Sequence, residues 1–400
     1  MGLQTRLFTL NTVYTIGFNG RDEPEKIKMF IKKAYDIYTI KYILLVGNYK
    51  KIPVRYIYNA DVEFFSFAEP CFISELYYAD IYDSEGNFSS WDTNDDSVFG
   101  EWIGENAEDK DVDLRPEVGI GRLACRNKLE VRTMVRKIKN YETHTYGKDW
   151  FNRLVAIVGD TYPDGHYDFP TPKMEAEEHC KEIFEIMSDF EPVELFVSTG
   201  NFTGPFDIIR EFRKGAGFVA MDGHANAKSW VTHPPNSTAT INGLNNVNML
   251  FLFNLNKYPV VVAGAFHNGQ FDVNLRNYIK HPEDARGHGI GAYECWAWKL
   301  TRKIAGGAIA TISNTALSMT KEDKDSQEGA GDYIDLQVFV EYASGTDILG
   351  DCWKGSINRY LDEFPVDWNT PAAWDFAYDA KTVQQWTLFG NPSLKIGGYP

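Results

Sequence analysis

This chain has 400 residues, 44% of them hydrophobic, and carries a formal net charge of −16 at pH 7. The length and the apolar content allow a large buried core, which we expect to be divided between two lobes. The acidic charge argues against nucleic acid and against an anionic membrane surface as the main partner, and the five widely spaced cysteines form neither a disulfide framework nor a CxxC metal motif.

The first part of the chain has the pattern of a small α/β lobe. Apolar residues at helical spacing predict a helix over residues 23–38, and the run from Tyr42 to Gly47 predicts a short buried strand after it. Residues 116–122 predict a strand that leads into a turn, and residues 128–142 predict an amphipathic helix. The helix-breaking residues 146–149 then set the boundary between the two lobes.

An acidic loop within this lobe alternates oxygen-bearing side chains. Asp92, Asn94 and Asp96 stand at every second position, and Glu101 follows them. Oxygen ligands that converge from a tight loop are what calcium requires, although the spacing differs from that of an EF-hand and no helix pair flanks the loop. The sequence therefore predicts a structural calcium site here, with a solvated acidic loop as the alternative.

From residue 149 onward, predicted strands and helices alternate, which is typical of a parallel sheet covered by helices on both faces. The predicted strands are 154–159, 193–197, 218–221, 260–262 and 307–312, and the predicted helices are 172–187, 206–214 and 289–304. We therefore predict an N-terminal α/β lobe over residues 1–148 and a second lobe over residues 149–400.

Two of these strands end in turns that carry histidine. Residues 218–221 lead into the turn 222–226, which contains His224, and the valine run 260–262 leads through small residues to Phe266, His267 and Asn268. In an open α/β sheet the chemistry gathers just past the carboxyl ends of the strands. The pattern indicates one site assembled from two loops, and the alternative is a pair of ordinary turns.

At these residues the chain resembles the gingipain family of cysteine endopeptidases, which belongs to the larger caspase-like clan. The resemblance covers roughly residues 20–396 and keeps the same order and similar spacing. The segments that carry it are 116–142, 217–230, 260–271, 294–315 and 384–394. It implies an α/β fold in which a smaller α/β lobe precedes a caspase-like parallel-sheet lobe.

The resemblance also implies roles for individual residues. His224 stands where the family has its catalytic histidine, and Asp160 stands where the family has an acidic residue near it, with helix capping as the alternative for Asp160. The family's cysteine nucleophile belongs at position 266, but the residue there is Phe266, and a phenyl ring offers no thiolate. The N–H groups of Ala225 and Phe266 would form the oxyanion pocket.

The best-known family members cut after a basic residue, using an acidic side chain in the pocket that receives it. That acid should begin the helix after Asp160, where this chain has Thr171 and Pro172. We expect Asp168 to bind the basic side chain instead, with the alternative that the nearby acids face solvent. The other acids that could serve are Asp164 and Asp222.

Three functions fit this pattern. The chain is an inactivated cysteine endopeptidase, a natural pseudopeptidase that binds polypeptide without cutting it, or a hydrolase with a hydroxyl nucleophile near Ser229 or Ser313. The intact surroundings of position 266 favour the first, and polypeptide is the expected partner. The family implies calcium and an extracellular location, whereas residues 1–10 lack the layout of a signal peptide, so we expect either a cytosolic chain or a mature piece without its leader.

Overall fold

The computed structural model of the chain describes residues 3–16, 19–59, 69, 71–161, 174–318, 329–372 and 375–400. Within these residues the α-helices are α1 (Leu10–Thr15), α2 (Glu23–Tyr38), α3 (Lys128–His144), α4 (Glu175–Ile186), α5 (Pro205–Lys214), α6 (Asn277–Lys280), α7 (Pro282–Gly287), α8 (Trp296–Arg302), α9 (Ala330–Ala343), α10 (Leu349–Glu363) and α11 (Asp375–Gln385). The strands are β1 (Tyr42–Val46), β2 (Arg55–Ile57), β3 (Phe72–Ser74), β4 (Gly119–Leu123), β5 (Arg153–Val158), β6 (Glu191–Phe196), β7 (Phe218–Asp222), β8 (His224–Asn226), β9 (Ser229–Thr232), β10 (Ile241–Asn245), β11 (Val260–Gly264), β12 (Ala310–Asn314) and β13 (Trp386–Phe389).

Eight strands form one sheet in the order β1-β4-β13-β12-β11-β7-β5-β6. Neighbours in this sheet run parallel except β12 and β13, which are antiparallel. The predicted α/β class with a large, mostly parallel sheet is therefore confirmed. Strands β8, β9 and β10 form a separate antiparallel sheet, and β2 pairs with β3.

The centre of the sheet is buried on both faces, as the β-branched run of β11 predicts. Val260 and Val262 lie in a core that contains residues of α4, α9 and α10. Val261 and Ala263 point to the opposite face and lie in a second core with residues of α5 and α8. Consecutive side chains of a strand alternate between faces, so this single strand connects both helical layers.

The two predicted lobes share the eight-stranded sheet. Strands β1 and β4 come from the first lobe and join the others through β13, where Arg122 is in register with Phe389. Arg122 is fully buried and donates to both carboxylate oxygens of Glu75 at 2.8 Å. The boundary at residue 148 stays a prediction. Every helix in the described parts of the chain is too short or too polar to span a lipid bilayer.

One predicted helix is much shorter in the structure. The pattern of residues 289–304 predicts a continuous helix, but the observed helix α8 covers only Trp296–Arg302. The preceding segment is held in an irregular path, because Gly289 adopts a left-handed φ of +74° where a Cβ would lie 2.8 Å from Oδ1 of Asn226. The prediction for residues 289–295 was wrong because a tertiary contact overrides the local helical pattern.

Candidate active site

The structure brings the two histidine-bearing turns together at one edge of the sheet. Strands β7 and β11 are parallel neighbours, and their last residues, Asp222 and Gly264, are in register. The chain after β7 continues into His224 at the start of β8, and the chain after β11 continues into Phe266. Both turns therefore lie past the carboxyl ends of adjacent strands, where α/β proteins commonly place their sites.

The ring of Phe266 lies against the ring of His224. Their centroids are 5.5 Å apart, the planes meet at 63°, and Phe266 is half-buried. His233 contacts the same imidazole in a second edge-on arrangement, with centroids 5.2 Å apart. Nε2 of His224 donates to the carbonyl oxygen of Thr161 at 2.7 Å. Burial lowers the pKa of His224, and the neighbouring His233 lowers it further.

Asn268 ties the two turns to each other. Its Nδ2 donates to the carbonyl oxygens of Asn226 at 2.8 Å and Ser229 at 3.3 Å, both in the β8–β9 hairpin. The next residue, Gly269, passes so close to β12 that a Cβ would lie 2.8 Å from the carbonyl oxygen of Asn314. The Asn-Gly pair after position 266 therefore has a structural reason for both residue types.

Asp160 is buried at the exit of β5 and holds the loop around His224. Its Oδ2 accepts a hydrogen bond from the N–H of Asn236 at 3.0 Å, and its own N–H donates to the carbonyl oxygen of His233 at 3.0 Å. The neighbouring carbonyl of Thr161 accepts from His224. The first helix after Asp160 within the described residues is α4, whose N-cap is Met174, and the capping alternative for Asp160 stays a prediction. An orienting role for Asp160 stays a prediction.

Of the remaining predicted site residues, the structure describes Ala225 but not Asp168. Ala225 is half-buried in β8, in register with Trp230 of β9, and its N–H follows directly after His224 in the chain. The oxyanion role of this N–H and that of Phe266 stays a prediction. Asp168 lies outside the described residues, and the same holds for Asp164, Thr171 and Pro172.

A buried acidic cluster lies under the two turns, and sequence reasoning missed most of it. A Cβ built on Gly264 would lie 2.9 Å from Oδ2 of Asp335 and 3.5 Å from Oδ1 of Asp222. Nε2 of His179 donates to Oδ1 of Asp335 at 2.8 Å, and Asp332 is buried beside them. These residues come from α4, β7 and α9, so only Asp222 carried a local signal, its place before the Gly-His turn.

The ionisable groups in this cluster shift one another's pKa values. Burial raises the pKa of Asp222 well above its ordinary value, and the carboxylates of Asp332 and Asp335 raise it further. Burial also raises the pKa of Asp332 to about 7. For His179, burial favours the neutral ring, but the carboxylate of Asp335 prevails and raises the pKa to about 10. A protonated His179 is therefore the cation that this cluster holds at neutral pH.

The residues of the predicted calcium loop bond mainly to the protein itself. Oδ2 of Asp92 accepts from Nη1 of Arg21 at 2.6 Å, and Oδ1 accepts from the N–H of Asp96 at 3.1 Å. The side chain of Asp96 accepts from the N–H of Val98 at 2.8 Å, and Oδ1 of Asn94 accepts from the N–H of Asp96. Among the described residues, no three histidine, cysteine, aspartate or glutamate side chains are grouped closely enough to hold a metal ion. The calcium site at this loop stays a prediction.

Of the two serines proposed as alternative nucleophiles, Ser313 is not accessible for attack. Ser313 is fully buried within β12, where its neighbours in register are Ala263 and Thr387. The hydroxyl of Ser229 donates to Oδ1 of Asn226 at 3.1 Å. A nucleophile needs access to the substrate and a base within hydrogen-bonding reach. Burial denies the first requirement to Ser313.

The large, mostly parallel sheet with a histidine past the carboxyl end of β7 makes this chain an α/β protein, in agreement with the caspase-like fold that the resemblance implies. The family model described as "Peptidase family C25" matches residues 2–397. The chain therefore belongs to peptidase family C25, and the gingipain-family resemblance expected from the sequence is confirmed.

Characterised relatives agree with this assignment at low identity. Gingipain R2 of Porphyromonas gingivalis is 22% identical over 378 residues, which cover 92% of this chain and 40% of that protein. Gingipain R1 of Porphyromonas gingivalis is also 22% identical, and the match covers 92% of this chain and 30% of that protein. The chain thus spans less than half the length of these relatives.

Solved structures share the fold. The crystal structure of the Arg-specific cysteine proteinase gingipain R superposes with a TM-score of 0.61 at 18% identity, covering 93% of this chain and 68% of that chain. The complex of the pro- and mature domains of RgpB from Porphyromonas gingivalis gives a TM-score of 0.66 at 16% identity, covering 99% of this chain and 74% of that chain. At these identities the likeness shows the fold alone.

Proposed function

We propose that this chain has the architecture of a cysteine endopeptidase but does not cleave peptides, because Phe266 occupies the position of the nucleophile. What supports the proposal is the contact between the rings of Phe266 and His224, whose centroids are 5.5 Å apart. The thiol of a cysteine at the same backbone position would lie beside the His224 imidazole, which has to activate it. The test is the variant Phe266→Cys, whose cleavage of unfolded protein should depend on His224.

Polypeptide binding without cleavage is the second candidate function. The observation that favours it is the intact framework around position 266, in which Asn268 still bonds to the β8–β9 hairpin at 2.8 Å. A site that keeps its shape after losing its nucleophile retains the surfaces that receive a peptide. Isothermal titration of the unaltered chain with a peptide mixture tests this function, and a complete lack of heat with all peptides would remove it.

We further propose a preference for basic side chains in the substrate, because one structural relative is an Arg-specific cysteine proteinase. Asp168 was the residue expected to provide it. Asp222 is a poor substitute for it, because it is buried beneath Gly264 in the cluster with Asp335, and its pKa is raised well above the ordinary value. A carboxylate in a closed pocket discriminates strongly in favour of a cationic partner, because a neutral side chain leaves it unpaired.

A peptide-library profile of the Phe266→Cys form measures this preference. We expect cleavage after Arg or Lys to exceed cleavage after neutral residues by about 10²-fold or more, because the loss of a buried ion pair costs several kcal/mol. Asp168→Asn should reduce the ratio, whereas Asp284→Asn, on the short helix α7, should leave it unchanged. Equal cleavage after basic and neutral residues would rule out the preference.

Calcium binding by the loop of Asp92, Asn94, Asp96 and Glu101 is a separate proposal. Because Arg21 donates to Oδ2 of Asp92 at 2.6 Å, calcium has to displace this guanidinium. We expect calcium to raise the melting temperature, and to raise it more in Arg21→Gln, where the competing cation is gone. Scanning calorimetry with calcium and with chelator measures both shifts. Identical melting temperatures in both forms would mean that the loop binds no calcium.

A further inference from the structure

The segment between β10 and β11 presents an exposed apolar surface. Val247, Leu250, Phe251, Phe253 and Leu255 are each 51–70% exposed, although they fall within nine residues of the chain. We call these five side chains the apolar face. Single exposed apolar residues are ordinary on protein surfaces, but a contiguous group of large ones marks an interaction site.

The apolar face is held firmly in place. Met249 and Leu252, which alternate with its members, are fully buried and anchor the segment to the core. The buried Asn254 donates from Nδ2 to the carbonyl oxygen of Gly307 at 2.8 Å and accepts at Oδ1 from the N–H of Gly307 at 2.8 Å. These bonds attach the segment to the loop that precedes β12. The exposure of the apolar face is therefore a property of the packed fold.

The loop before β12 extends the surface with both an apolar and a cationic side chain. Ile304 is 49% exposed, and the ammonium group of Lys303 lies 4.8 Å from the centroid of the Phe253 ring. A second cation, Lys257, follows Leu255 by two residues and is half-buried. Large apolar side chains bordered by lysines are the combination that binds at the interface of a bilayer containing anionic lipid.

The distribution of acids along the chain agrees with this surface. The chain has 56 Asp and Glu residues among 400, yet none occurs in the 49 residues from 223 to 271, which include the whole apolar face. At physiological ionic strength, charges separated by more than about 8 Å are largely screened from each other. Helix α5, which packs against residues 248–251, does carry Asp207 and Glu211, but Arg210 binds the first at 2.8 Å and Arg153 binds the second at 2.7 Å. The net charge of −16 argues against an anionic surface for the chain as a whole, and it is compatible with local attraction at this lysine-bordered surface.

We propose that the apolar face docks on the surface of a lipid bilayer that contains anionic lipid. Its apolar side chains enter the interfacial region, and Lys257 and Lys303 contact the headgroups. The face precedes β11 and β12, at the amino ends of these strands, whereas the candidate active site lies at the carboxyl ends of β7 and β11. Docking would turn the site away from the bilayer. This inference goes beyond the proposed function and does not depend on it.

Vesicle sedimentation of the unaltered chain tests the proposal, with vesicles of phosphatidylcholine alone and of phosphatidylcholine mixed with phosphatidylglycerol. We expect binding to the mixed vesicles, and binding at least about tenfold weaker for the double variant Leu250→Ser/Phe253→Ser, because two exposed apolar side chains no longer enter the bilayer. The double variant Lys257→Gln/Lys303→Gln should lose the preference for the mixed vesicles.

The matched control is Leu129→Ser/Ile279→Ser, which removes two side chains that are 65% and 87% exposed outside the apolar face. This control should bind like the unaltered chain, and thermal melting should show that all variants are folded. Failure of the unaltered chain to bind mixed vesicles would overturn the proposal, and so would equal loss in the control. Sedimentation equilibrium tests whether a second copy of the chain binds the apolar face instead. A dimer that dissociates in Leu250→Ser/Phe253→Ser would show that the face is an interface between two copies and would overturn the proposal.

Discussion

Phe266→Cys should give this chain a peptidase activity that it lacks with phenylalanine at position 266. The new thiol would lie beside His224, whose ring now contacts that of Phe266 with centroids 5.5 Å apart. Removing the nucleophile from a peptidase typically costs on the order of 10⁶ in turnover, so its return should produce a gain of similar size. Cleavage of a fluorescent unfolded protein, followed with and without an alkylating agent, measures the gain.

Two further variants make this result specific. His224→Ala in the Phe266→Cys background should abolish nearly all of the gain, because nucleophile and base act as one unit and their effects do not add. Phe206→Cys places a thiol on α5 at a residue that is 73% exposed, and it should give no cleavage. Cleavage by the unaltered chain that resists alkylation would contradict the proposal and would point instead to a hydroxyl nucleophile.

Lys137→Met should destabilise the chain by about 1–3 kcal/mol, because it removes the donor that several buried carbonyl groups share. Lys137 lies on α3 and is buried, and its Nζ donates to the carbonyl oxygens of Thr301 at 2.7 Å and Ala308 at 2.7 Å. Its third N–H is directed to the carbonyl oxygen of Gly306 at 3.0 Å, and that of Lys303 lies farther away at 3.4 Å. Methionine fills a similar volume but leaves these carbonyl groups without this donor.

Two opposing contributions set the effect of Lys137 on the free energy of unfolding: the desolvation of its ammonium group and its contacts with carbonyl groups. Burial lowers the pKa of Lys137 well below its ordinary value, because the charged form loses its hydration. The carbonyl contacts offset that cost. Denaturant unfolding of Lys137→Met and of the exposed control Lys139→Met on the same helix measures the difference in the free energy of unfolding. A Lys137→Met form as stable as the control would show that desolvation cancels the four contacts.

Local patterns in the sequence determined the parts of this protein that depend on near neighbours in the chain. The β-branched run of β11 predicted a strand buried on both faces, and the helical spacing of residues 128–142 predicted α3, observed as Lys128–His144. The order of segments along the chain also predicted the family, which the match over residues 2–397 confirmed. These features can be predicted from the sequence because periodicity and turn residues act over only a few positions.

Only the tertiary structure decided how distant residues meet. His179, Asp222 and Asp335 come from three separate elements, and no local pattern places them together under the two turns. The same holds for Arg21, which lies 71 positions before the Asp92 carboxylate that it contacts. Residues 289–295, which were expected to be helical, instead follow an irregular path beside Asn226. Packing between elements far apart in the chain sets these contacts, and it outweighs the weak local preference of each segment.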